Sequence, residues 1–106
     1  MAKIDFSAEA ILDLEQISTY IEQELMSPIA ALNTVNKILD SIDNLAVFPL
    51  MGIKLSSILD VDTDYRYLVC GNYLAFYRTD EICVYIDRIL YGKRDYVAIL
   101  FPNLFV

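Results

Sequence analysis

The sequence contains no histidine. No imidazole is therefore available as an acid, a base or a metal ligand near neutral pH, and histidine-based catalysis is excluded. Cysteine is scarce too. Cys70 and Cys83 are the only two, they fall inside predicted strands, and they lack the Cys-x-x-Cys spacing of metal and redox sites. Their expected state is a buried thiol in a reducing compartment. No run approaches the roughly 18 apolar residues of a membrane span, and the opening Met-Ala-Lys-Ile-Asp-Phe lacks the ordered regions of a signal peptide. These absences lead us to expect a soluble cytoplasmic protein that uses no metal or other cofactor.

Positive charge is also in short supply. Eight Lys and Arg face fifteen Asp and Glu, for a net charge of −7. The imbalance sits in the first half, where Lys3 and Lys37 face eight acids, whereas residues 51–106 carry six basic residues against seven acids. An acidic whole opposes non-specific nucleic-acid binding and leaves only a local cationic patch to hold phosphate.

What is present is largely apolar. The hydrophobic fraction is 57% in 106 residues, which predicts one domain over 1–106 with more apolar surface than one small core needs. Residues 2–6 alternate loosely, as a short strand that needs a partner would. Ser7 is placed to cap a helix, Glu9 lies in its first turn, and Ala10, Leu14, Ile17, Ile21 and Leu25 recur at three and four. Asp13, Glu15, Glu22 and Glu24 fall largely outside that stripe. Ser27-Pro28 starts a second helix, with Leu32, Val35, Leu39, Ile42 and Ala46 as its stripe, widened by Ile38 and Leu45. Together they read as an αα-hairpin.

Phe48-Pro49-Leu50-Met51-Gly52 ends the second helix and opens an irregular connection with room for a short extended piece. Asp60-Val61-Asp62-Thr63-Asp64 starts like a calcium loop, yet Tyr65 stands where the loop needs glycine and Gly71 where it needs glutamate. It is an acidic turn.

The densest strand chemistry runs from Tyr65 to Asp95, as three aromatic and β-branched runs separated by turn residues. Gly71-Asn72 is a two-residue hairpin signal that sets Cys70 opposite Tyr73, Leu68 opposite Ala75 and Arg66 opposite Tyr77. A three-residue turn at Thr79-Asp80-Glu81 would set Arg78 opposite Ile82 and Phe76 opposite Val84. On that register Tyr65, Tyr67, Val69, Leu74, Phe76, Arg78, Ile82, Val84, Ile86 and Arg88 share one face, and Arg66, Leu68, Cys70, Tyr73, Ala75, Tyr77, Cys83, Tyr85, Asp87 and Ile89 the other. Two helices cover one face of a two-layer domain. The other must meet the tail, a second subunit or a binding partner. Asp87 and Asp95 are expected to pair with Arg88 or Arg94, and the apolar tail 96–101 to be packed as a further strand or a short helix.

A short strand, a helical hairpin, Phe-Pro-x-x-Gly and a meander closing on Arg88-Ile89-Leu90-Tyr91-Gly92-Lys93-Arg94-Asp95 resemble the RelE/ParE superfamily of toxins from type II toxin–antitoxin modules. The likeness covers nearly the whole chain, and Tyr65-Arg66 and Asn72-Tyr73 through Tyr77-Arg78 carry it further. It implies an α+β fold of two layers, with the N-terminal helical hairpin packed on an antiparallel sheet of three to four strands. It also implies a growth-inhibiting toxin neutralised by a cognate antitoxin. One branch of the family poisons DNA gyrase by binding. The other cuts messenger RNA on the ribosome, without a metal, by promoting attack of a 2′-hydroxyl on the neighbouring phosphate.

In the nuclease case the resemblance implies Lys93, Arg94 and Tyr91 as the catalytic residues. The strand position where nucleases often carry arginine is Leu74 here, and the late acid position falls near Leu100 or on Tyr91. The same comparison turns Leu74, Phe76 and Arg78 toward the open face and Tyr73, Ala75 and Tyr77 toward the helices. It makes Leu74, Phe76, Arg78, Arg88, Arg66 and Lys54 the residues for target or antitoxin, around an apolar groove suited to a strand or helix of a partner. The expectation is a gyrase-directed toxin, with two alternatives: a ribosome-dependent endonuclease, or a non-toxic relative that retains only antitoxin binding. A homodimer is compatible with each.

Overall fold

Ser7 and Ser27 begin the two long helices by the same device. In the computed structural model, which describes residues 1–104, the Ser7 hydroxyl accepts from the Ala10 amide at 3.0 Å and opens α1 (Ala8–Leu25). Ser27 accepts from Ala30 at 3.1 Å and opens α2 (Pro28–Asp43), whose proline occupies the first turn. Met26, in the left-handed region at φ 48°, closes α1 and lets the chain reverse. Among the described residues, no helix is long and apolar enough to cross a membrane.

The strands are β1 (Lys3–Phe6), β2 (Ile53–Lys54), β3 (Arg66–Cys70), β4 (Tyr73–Thr79) and β5 (Cys83–Tyr91). They form one mixed sheet in the order β1-β5-β4-β3-β2, in which β1 runs parallel to β5 and the other neighbours are antiparallel. The expected α+β architecture is therefore present. The sheet exceeds the expected three to four antiparallel strands because the short pieces at 3–6 and 53–54 each find an edge to pair with.

The hairpin at Gly71-Asn72 has the expected register, with Cys70 opposite Tyr73, Leu68 opposite Ala75 and Arg66 opposite Tyr77. Gly71 supplies the positive φ, 63°, that the tight turn requires. The next turn departs from expectation. Thr79 pairs with Val84 and Arg78 with Tyr85, not Arg78 with Ile82 and Phe76 with Val84. The cause is Asp80, whose carboxylate accepts from the Ile82 and Cys83 amides at 2.7 Å each and winds the chain through an extra residue.

Val84 and Ile86 consequently face the helices rather than the far side, packed with Ala10, Ile38, Ile42, Ala75 and Tyr77. A bulge then intervenes. Tyr77 pairs with Ile86 but Phe76 pairs with Arg88, so Asp87 is the additional residue on β5. Beyond it the alternation is back in the expected phase, with Ile89 on the helix side and Leu90 on the other.

The far side is not an open groove. Phe76 and Leu90 lie buried with Leu55 and are covered by Leu59, Tyr65, Tyr67 and the tail residues Tyr96, Ile99, Leu100 and Phe101. The tail is the short helix α3 (Tyr96–Leu100), started by Asp95, which accepts from the Ala98 amide at 3.3 Å. Phe76 stacks on Tyr96 at 5.2 Å between ring centroids. The chain fills its own groove, and Phe76, at 0% exposure, presents no surface to a partner.

Tyr77 fastens the connection between α2 and β3. Its hydroxyl donates to Pro49 O at 2.8 Å and accepts from the Gly52 amide at 2.9 Å. The Phe-Pro-x-x-Gly segment thus has a structural reason: a Cβ on Gly52 would lie 2.5 Å from the Tyr77 hydroxyl oxygen and 2.9 Å from Tyr67 O.

Candidate functional site

β5 carries Arg88 and Tyr91 and leads into Lys93 and Arg94, and its outer edge is only partly covered, because β1 stops at Phe6 opposite Ile86. From there α1 takes over. Ser7 N donates to Ile86 O at 2.9 Å, and the Ser7 hydroxyl, besides capping α1, donates to Asp87 O at 2.7 Å. Six residues further on, Asp13 accepts from the Ile89 amide at 2.9 Å and holds the Arg88 guanidinium through Nε at 2.8 Å and Nη2 at 2.9 Å. The outer backbone groups at Ile86, Asp87 and Ile89 are thereby satisfied by side chains or backbone of α1 and its cap.

Asp13 was expected on the solvent side of its helix. It is 5% exposed instead. A buried carboxylate requires a cation or several donors, and Arg88 and the Ile89 amide provide both. Asp87 does not take Arg88 as expected. It pairs with Arg78, whose Nε and Nη2 both lie 3.0 Å from Asp87 Oδ2, and Arg78 also sits over the Tyr65 ring at 5.3 Å. Burial pulls the Arg78 guanidinium down in pKa, but the bond to Asp87 more than offsets this, and the net shift is upward. Burial and then the Asp87 carboxylate push the Tyr65 hydroxyl up to about 12. Arg66 is engaged as well, donating to Leu50 O at 3.3 Å and to Gly52 O at 2.9 Å.

Three of the four strand and rim arginines are thus held within the protein. Among the described residues, Lys54, Lys93 and Arg94 make no ion pair. Lys54 lies exposed at the sheet edge on β2, away from the other two. The turn after β5 presents Lys93 and Arg94 to solvent. Gly92 there allows a close approach, but to its own neighbour: the Gly92 amide donates to Asn72 O at 2.9 Å, and a Cβ would meet that oxygen at 3.3 Å. Asp95 is occupied as the cap of α3 rather than as a partner of Arg94.

Arg94 and Tyr91 meet in a cleft of about 470 Å³ between α1 and the ends of β4 and β5. Asp13 and Ile17 from α1 and Ile89 from β5 line it, with Gln16 and the rings of Tyr20, Tyr73 and Tyr91. Tyr73 and Tyr91 pair across the strands edge to face, with centroids 5.8 Å apart. Burial first, then Tyr91 and Tyr20, raise the Tyr73 hydroxyl above its ordinary pKa, so it is a hydrogen-bond donor at neutral pH and not a base. Sequence reasoning singled out Tyr91 and Arg94 among the lining residues but not Tyr20, Tyr73, Gln16 and Asp13. The signal for the α1 members was their spacing, since positions 13, 16, 17 and 20 follow one helical face.

Of the other expected contact residues, Leu74 is half-buried under the tail layer, Phe76 is fully buried, and Arg78 and Arg88 share a surface that Arg66 does not line. Lys93 is adjacent to the cleft in sequence but does not line it. A second hollow of about 300 Å³ lies between the start of α1 and α3, bounded by Tyr65, Arg78, Asp87 and Arg88.

The family model described as the ParE toxin of the type II toxin–antitoxin system parDE matches residues 4–96. Among solved structures, the chain is similar to one from the chromosomal ParDE system of P. aeruginosa, at 22% identity over 88% of this chain and 98% of that one, with a TM-score of 0.73. It is also similar to a chain of the E. coli DinJ-YafQ complex, at 15% identity over 95% and 99% of the two chains, with a TM-score of 0.49. No curated protein matches it.

Proposed function

The chain belongs to the ParE toxin family of type II toxin–antitoxin systems, and on that premise we propose that it inhibits growth by binding DNA gyrase in the cytoplasm, without chemistry of its own, and is held inactive by a cognate antitoxin. One observation carries the choice of binding over RNA cleavage. Arg66, Arg78 and Arg88 are each committed to a carbonyl or carboxylate of the protein itself, which leaves Arg94 and its neighbour Lys93 as the cations near the cleft with no ion pair among the described residues. Strand cleavage by a 2′-hydroxyl needs a base, an acid and charge on the phosphate. Leu74, where a nuclease would carry arginine, faces the tail layer, and the cleft's one carboxylate, Asp13, is fully engaged.

The test is induced expression with a gyrase supercoiling assay on the purified protein. Growth arrest with loss of supercoiling is expected. Arrest with supercoiling intact would sink the gyrase reading. The position of Tyr91 and Arg94 in one cleft favours a second reading, a ribosome-dependent endonuclease. Codon-linked messenger RNA cuts that vanish in Arg94→Ala would establish it. Neither arrest nor cleavage, with antitoxin binding retained, would mark a non-toxic relative.

A further inference from the structure

The Arg94 cleft combines apolar walls with one cation. Its floor is apolar, from Ile17 and Ile89, its sides are the rings of Tyr20, Tyr73 and Tyr91, and Arg94 is the cation at its mouth. Tyr20 is 62% exposed and Tyr91 40% exposed, so both retain apolar ring surface that no described residue covers. At about 470 Å³ the space is that of one or two large side chains.

Charge narrows the ligand further. Asp13 at the base is neutralised by Arg88, so Arg94 supplies the free charge of the lining. Beyond the lining, α1 exposes Glu15, Glu22 and Glu24, so the helix that walls the cleft is acidic. A single guanidinium in a field of carboxylates balances one negative charge and repels a polyanion. It also fits a carboxylate in a two-bonded fork, which ammonium does not.

From this the geometry points to a peptide subsite: the cleft takes a large apolar side chain between Tyr20, Tyr73 and Tyr91, with an adjoining Asp or Glu of the same segment paired to Arg94. The segment would come from the antitoxin. That assignment of source rests on the toxin reading above, whereas the chemistry of the subsite does not.

The test is a ¹⁵N–¹H NMR titration of the full-length protein with a blocked tetrapeptide of alanine, phenylalanine, glutamate and alanine. Controls are the same peptide with glutamine for glutamate, and uridine monophosphate. The glutamate peptide is expected to shift the Tyr73, Ile89, Tyr91 and Arg94 amides. The glutamine peptide, and Arg94→Gln with the glutamate peptide, should bind at least tenfold more weakly, and Tyr20→Ala should weaken both peptides alike. Arg94 and Tyr20 are exposed, so both variants keep the fold. Equal binding of the two peptides would overturn the carboxylate assignment, and tighter binding of the nucleotide would overturn the peptide assignment. Because the titration needs neither toxicity nor gyrase, shifts at the cleft with no growth arrest would retain the subsite and remove the toxin reading. Arrest with no shifts would do the reverse.

Discussion

Asp13 offers the sharpest test of how this fold is held. In Asp13→Ala the Arg88 guanidinium loses both of its hydrogen bonds to the carboxylate and the Ile89 amide loses its only side-chain acceptor. Breaking a buried ion pair by removing one partner costs about 3–5 kcal/mol. The Arg88 side chain is 27% exposed and partly rehydrates, so the lower end applies, about 3 kcal/mol with the orphaned amide included. With a urea slope of about 1.5 kcal/mol per M for a chain of this size, the midpoint should fall by roughly 2 M. Asp13→Asn, which keeps one acceptor oxygen, should lose about half as much. In the Asp13→Ala/Arg88→Met double variant the uncompensated charge is gone, and roughly 1 kcal/mol should return. A midpoint for Asp13→Ala within about 0.3 M of the parent, on the same slope basis, would refute the assignment of Asp13 as the group that closes the β5 edge.

Two further outcomes follow from buried groups elsewhere. Gly52→Ala should destabilise by about 1–3 kcal/mol through overpacking, and adding Tyr77→Phe should not rescue it, because the Tyr67 carbonyl still lies 2.9 Å from the new Cβ; thermal melts of the single and double variants check this. Burial pushes the Cys70 thiol from 9.0 up to about 11. A raised folded pKa favours the protonated thiol, so its contribution is fully present below pH 9 and is lost as pH rises toward 11, by about 2–3 kcal/mol. Unfolding free energies of the parent and Cys70→Ala from urea melts across that window should show the parent losing this amount relative to the variant, and parallel profiles would exclude it.

The helices and the first hairpin were legible because their signals are local. Ser7, Ser27-Pro28 and Gly71-Asn72 act on amides two or three residues away or set a turn by backbone sign. The second turn was not, because its length depends on how many amides the Asp80 carboxylate collects, which spacing does not disclose. The bulge left a trace that periodicity of two overlooks: Val84, Ile86 and Ile89 stand two and then three apart, with Asp87 and Arg88 between. The apolar groove was expected because Leu74 and Phe76 were traced to the correct face, yet the cover came from the chain's own tail. Polar contacts over 75 and 76 residues, such as Asp13 to Arg88 and Ile89, leave no mark at short range. The cleft was half visible, through Tyr91 and Arg94, and its α1 wall emerged only when those contacts brought the helix over the strand end.

The pairing of β1 with β5 also governs when the molecule can become whole. Lys3 through Phe6 lie beside Cys83 through Ile86, so the first strand has no partner until about four-fifths of the chain has been made. During synthesis α1 and α2 can associate early, but their apolar face waits for a sheet whose central strands come last. Ser7 and Asp13 find their β5 partners only then. A truncated or stalled product lacks both the strand end that leads to Arg94 and the helix placement that shapes the cleft around it, so the cleft exists only once β5 has been made and docked.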